Sequence, residues 1–195
     1  MWQRQSAIWL TKLREMSATN SLHYQLCLLV ARELKYGRLT FGHYGKCKYV
    51  AVELNVYGAE NTDVWASFRD CTAVIEVKTS RADFLADKKK YWRSPESAKN
   101  QAGNFRCYLA PIGLLRVEEI PENWGLLEYS AHDKAIYMRK RPPRNDAYNH
   151  ADLVILQSIL RREGFKEKIY NYREVVSTIK PQGIVKPEEV QPTLF

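Results

Sequence analysis

With 195 residues, of which 45% are hydrophobic, the chain is long enough for one domain with a real core, and its composition excludes a low-complexity or disordered chain. Thirty Lys and Arg against twenty-two Asp and Glu leave a formal charge of +8, which favours an anionic partner such as nucleic acid. Nothing reads as a signal peptide and no apolar run approaches the roughly eighteen residues of a membrane span, so a cytoplasmic protein is expected.

Met1 to Met16 carries Trp2, Ile8, Trp9 and Leu13 among basic residues, the spacing of a short amphipathic helix, and residues 1–20 are read as an N-terminal segment that packs on the core. Asn20 or Ser21 caps a second helix whose apolar side is Leu22, Leu26, Leu29, Val30 and Leu34, and Tyr36-Gly37 ends it. Glu33 reads as an ordinary exposed glutamate. Lys48 to Tyr57 reads as a strand with Val50, Val52, Leu54 and Val56 on one face and Glu53 on the other. The turn Gly58 to Asn61 leads to Asp63. Val64 to Phe68 and Ala73 to Lys78 then form a hairpin that sets Asp63 and Glu76 on neighbouring strands.

Glu76 and Lys78 point the same way from one buried strand, because side chains alternate along it. Burying a carboxylate beside an ammonium costs several kcal/mol unless a metal or a phosphate compensates, which marks a site. Thr79 or Ser80 caps the next helix, and Ser80-x-x-Asp83 forms a capping box in which aspartate replaces the usual glutamate. That helix carries Phe84, Leu85, Lys88 and Trp92 down one side, and Lys88, Lys89, Lys90 and Arg93 give its far end a dense positive charge. Asp87-Lys88-Lys89 also fits (D/E)-x-K and reads as a solvated helix surface.

Ser94 to Gly103 is a polar loop that orders on substrate in this reading. Phe105 to Ala110, Gly125 to Tyr129 and Ala135 to Met138 are further strands, and Asp152 to Leu160 lies in a helix begun near Asn145 and closed by Gly164. After Lys180 the chain is a proline-punctuated tail, residues 181–195. Cys27, Cys47, Cys71 and Cys107 stand apart, with no C-x-x-C pair, as buried reduced thiols, and His23, His43, His132 and His150 are equally dispersed. A His/Cys metal site is therefore not expected.

Asp63 followed by Glu76-Val77-Lys78 resembles the PD-(D/E)xK nuclease superfamily. Within it, Val52-Glu-Leu-Asn55, Thr62 to Ala66, Ile75 to Lys89, Phe105 to Pro111 and Pro121 to Leu127 are similar to the MmcB-like DNA-repair family. The resemblance, which spans roughly residues 50 to 140, implies an α/β (α+β) fold with the mixed central sheet of restriction endonucleases flanked by helices, and the nuclease-like domain is read as residues 21–180. It implies that Asp63, Glu76 and the Val77 carbonyl hold Mg²⁺ or Mn²⁺, and that Lys78 orients or helps deprotonate the attacking water. Glu53 is a third acidic group beside them, and Arg81, Lys88, Lys89, Lys90 and Arg93 meet the DNA. The function implied is a DNA endonuclease of repair or replication-associated processing, nucleoid-associated and able to act as a homodimer. Two alternatives stand beside it: the same fold binding DNA structure without cutting, and a structural ion pair of Glu76 with Lys78 or Arg81. Finally, Gln191-Pro-Thr-Leu-Phe195 resembles the bacterial sliding-clamp-binding pentapeptide, with Gln191, Leu194 and Phe195 as its anchors.

Overall fold

The computed structural model describes residues 21–41, 45–90, 93, 94, 97, 101–145 and 150–164. The expected N-terminal helix, Trp92 and the tail with Gln191, Leu194 and Phe195 lie outside the described residues. The chain forms two compact units, Met1–Ile155 and Leu156–Phe195; the sheet and the two helices before its fourth strand belong to the first, and the last described helix runs from the first into the second.

Helix α1, Leu22–Tyr36, begins where Ser21 Oγ accepts from the Tyr24 amide at 3.4 Å. It ends at Gly37, whose left-handed φ of 72° lets its N–H turn back to the carbonyls of Glu33 and Leu34. Glu33 closes this corner, accepting two hydrogen bonds from Arg38 at 2.6 and 2.8 Å. Strands β1 (Tyr49–Leu54), β2 (Thr62–Ser67) and β3 (Thr72–Val77) follow as antiparallel neighbours. The first strand stops earlier than the alternation predicts, because the Asn61 side chain takes the Val56 amide at 3.2 Å and starts the turn there.

Helix α2, Arg81–Asp87, carries the chain from β3 to the parallel strand β4, Phe105–Pro111. Ser80 Oγ caps it by accepting from the Asp83 amide at 3.2 Å. It is shorter than the sequence predicts. Beyond Asp87 the amides of Lys89 and Lys90 bond three residues back, to Ala86 and Asp87, in tightened turns. Strands β5 (Gly125–Ser130) and β6 (Ala135–Lys140) complete a six-stranded mixed sheet in the order β1-β2-β3-β4-β5-β6, with β4/β5 parallel and β5/β6 antiparallel. Helix α3 is His150–Arg162.

Each face of the sheet has its own core. Leu26, Cys27, Val30 and Leu34 of α1 pack on Val64, Ala66, Ile75, Val77, Cys107 and Leu109. On the other face, Phe84 of α2 packs with Tyr108, Ala110, Leu115, Ile120, Trp124 and Leu126. This is an α/β fold with a mixed central sheet flanked by helices, the class expected from the sequence. Among the described residues no helix is long and apolar enough to cross a membrane.

Candidate active site

The register of the first three strands sets the site. Val52 pairs with Val64 and Leu54 with Thr62, while Val64 pairs with Ile75, so Glu53, Asp63 and Glu76 occupy successive places in one row across the sheet. At that row β2 and β3 part: the Val77 amide donates to Asp63 Oδ2 at 2.7 Å instead of to a strand carbonyl. Glu53 has a left-handed backbone with φ of 50°, which costs a non-glycine residue about 1–3 kcal/mol.

Glu76 is 1% exposed. Its Oε2 lies 3.3 Å from Lys78 Nζ, 3.4 Å from Arg93 and 3.9 Å from Lys90. Its Oε1 is buried and has no hydrogen-bond partner. Burial and, after it, the Asp63 charge push the Glu76 carboxyl up to about 7, against the opposing pull of Lys78 and Arg93. A buried carboxylate oxygen left without a donor is costly, and beside a second acid it has the character of a position for a hard cation. Asp63 and Glu76 are therefore the residues that could hold a hard divalent cation such as Mg²⁺ or Mn²⁺.

Lys78, 2% exposed, is held by carboxylates on several sides: Glu76 at 3.3 Å, Asp87 at 3.1 Å and Asp83 at 3.9 Å. Burial alone would lower its pKa, but the carboxylates of Glu76, Asp87 and Asp83 outweigh it and raise it. Lys78 is thus held as an ammonium that can offset negative charge beside Glu76.

Asp87 corrects the reading of Asp87-Lys88-Lys89 as a solvated surface. Its side chain is fully buried and receives Lys78, Lys90 at 2.8 Å, Arg93 at 2.8 Å and the Tyr108 hydroxyl at 2.8 Å. Burial opposes its charge, yet the hydrogen bonds from Arg93 and Lys90 prevail and hold the carboxyl well below its usual range. Arg93 also pairs with the buried Glu60, which accepts from Arg106 at 2.8 Å, and both guanidiniums lie over the Trp124 ring, at 4.7 and 4.4 Å.

The five residues expected to meet DNA are placed differently from one another. Arg93 is withdrawn into this carboxylate network, Lys90 reaches back to Asp87, and Arg81 is clamped by two 2.6 Å hydrogen bonds to Glu119. Lys88 rests over the Phe84 ring at 4.7 Å, and both Lys88 and Lys89 are exposed.

His23, on the first turn of α1, was not a candidate in the sequence. Its Nε2 lies 3.2 Å from Asp63 Oδ2 and its Nδ1 3.6 Å from Glu53 Oε1. No local pattern marks it; only the packing of α1 on the sheet brings its first turn to the row of acids.

No protein-family model matches the sequence, and no curated protein matches it. Among solved structures the chain is similar to the SPO1766 protein of unknown function from Silicibacter pomeroyi, with 20% identity and a TM-score of 0.45, over 69% of this chain and 83% of that one.

Proposed function

We propose that the protein is a Mg²⁺- or Mn²⁺-dependent deoxyribonuclease that hydrolyses phosphodiester bonds in DNA repair or replication-associated processing. The observation that carries the reading is the Glu76 Oε1 atom, buried and without a hydrogen-bond partner, in the same row as Asp63. A cation bound between Asp63 and Glu76 would supply Lewis-acid polarisation of the phosphodiester and a water of lowered pKa. Lys78 and Arg93 fix Glu76 by its Oε2, leaving Oε1 as the free donor. Lys78, held charged, would offset negative charge that develops on the phosphoryl oxygens, and the exposed Lys88 and Lys89 would meet backbone phosphates. A homodimer would bring two such sites to the two strands of a duplex. The tail peptide, through Gln191, Leu194 and Phe195, would tether the enzyme to a bacterial sliding clamp.

The test is cleavage of a panel of duplex, branched and flapped DNA in Mg²⁺, Mn²⁺ or EDTA, beside Glu76→Gln. Metal-dependent cutting by the wild type and none by the variant is the expected result; equal cutting by both removes the assignment. A second reading, the same fold binding DNA structure without cutting it, is favoured by the enclosure of Lys78 at 2% exposure. It predicts tight binding in EDTA and no product with any metal. For the tail, a fluorescent Pro187 to Phe195 peptide should bind a bacterial clamp, and its Leu194→Ala, Phe195→Ala counterpart should not.

A further inference from the structure

We propose that His23, Cys27 and Glu53 form a second cation site, for a borderline divalent metal of the Zn²⁺ class. One donor atom from each lies within 4.8 Å of the other two. His23 Nδ1 stands 3.8 Å from Cys27 Sγ and 3.6 Å from Glu53 Oε1. A tetrahedral ion with ligands at about 2.0–2.3 Å has edges of about 3.3–3.8 Å, so two of the three edges are already at coordination spacing. His23 and Cys27 come together because they are four residues apart on α1. Glu53 enters from β1.

The other ring nitrogen strengthens the assignment. With Nδ1 on the ion, Nε2 carries the proton and donates it to Asp63 Oδ2 at 3.2 Å, the outer carboxylate that metal-bound histidines characteristically have. The field is also that of a cation site. Among the described residues neither Glu53 nor Asp63 forms an ion pair with Lys or Arg. Binding would expel the Cys27 proton to solvent and leave a thiolate on the metal. Side-chain exposures of 29% for His23 and 48% for Glu53 give the ion a way in and a water a fourth position. Mg²⁺ takes oxygen donors and keeps its waters, so this nitrogen, sulfur and oxygen set does not compete for the ion assigned to Asp63 and Glu76.

Co²⁺ titration of the metal-free full chain tests the site without reference to nuclease activity. The wild type should bind Co²⁺ with near-ultraviolet thiolate-to-metal absorption, and Cys27→Ser should lose that band. Glu53→Gln, a change at an exposed side chain, should bind Zn²⁺ at least about tenfold more weakly, and Asp63→Asn about 10–100-fold more weakly through the lost outer carboxylate. Glu76→Gln should keep the thiolate band even as it removes cleavage. Absence of the band in the wild type, its survival in Cys27→Ser, or unchanged Zn²⁺ affinity in a folded Glu53→Gln each overturns the site. Failure of the nuclease assay alone leaves it standing.

Discussion

At the residue scale, Glu76 and Lys78 stand in the same network but should respond oppositely to substitution. Glu76→Gln removes a buried charge that burial and Asp63 both disfavour, so the metal-free variant should melt no lower than wild type, and higher above neutral pH, while cleavage is lost. Lys78→Ala instead leaves Glu76 and Asp87 buried without their shared cation, and unmasking a buried ion pair in this way typically costs about 3–5 kcal/mol. Urea unfolding should therefore show a large fall in midpoint for Lys78→Ala, and a midpoint equal to wild type would show that the ammonium is not holding the two acids. The (D/E)-x-K spacing made both residues legible in the sequence, since alternation on a β-branched strand forces them to one face. His23 was illegible for the converse reason: its partners Glu53 and Asp63 lie 30 and 40 positions further along the chain, and nothing local encodes that meeting.

Helix α2 and the strand after it show where element-level reading fails. The apolar Phe84 was readable from local spacing, as was a cap at Thr79 or Ser80, of which the structure uses Ser80. The early end of the helix was not, because it is set by Asp87 turning inward to Lys78, Arg93 and Tyr108 rather than by a glycine or proline. Asp87→Asn should accordingly destabilise the fold more than any of the exposed lysines that follow it, by the several kcal/mol typical of a broken buried network, as read from the thermal midpoint. Gly103 makes a second, backbone-level demand. Its φ is 88°, its N–H donates to Asp152 at 3.1 Å, and a Cβ there would stand 2.9 Å from Val74 Cγ2 and 3.1 Å from the Phe105 carbonyl. Gly103→Ala combines strain with a steric clash and should lower the unfolding free energy by more than about 1 kcal/mol, detectable as a shifted urea midpoint with unchanged slope.

For the whole molecule, the two titrating acids set a stability window. Glu76 has a folded pKa raised from 4.5 to about 7, so its contribution is complete below the lower value and is lost as pH climbs through the upper one. Asp87 is depressed below 3.8, so its contribution is present above that value and lost as pH falls through the folded one. The metal-free melting temperature should thus be highest near pH 4, where both contributions are complete, and decline on both sides, and Glu76→Gln should flatten the alkaline limb alone. DNA affinity belongs to the same scale. Lys88→Ala with Lys89→Ala should weaken binding across sequences and shallow its salt slope by about one to two units, roughly one for each phosphate no longer neutralised, whereas an unchanged slope places that end of α2 away from the backbone.

The left-handed backbone of Glu53 has a further consequence for how the sheet meets other chains. Among the described residues strand β1 is one of the two edges of the sheet, and an edge offers its unsatisfied N–H and C=O groups to any extended segment nearby. Glu53 interrupts the paired register between Val52 and Leu54 and carries a partly exposed carboxylate there, so a foreign strand cannot continue a regular ladder past it. Replacing that kink by a flat, uncharged strand, as Glu53→Val would favour, should expose a straight edge and drive concentration-dependent self-association, visible by light scattering before any loss of secondary structure.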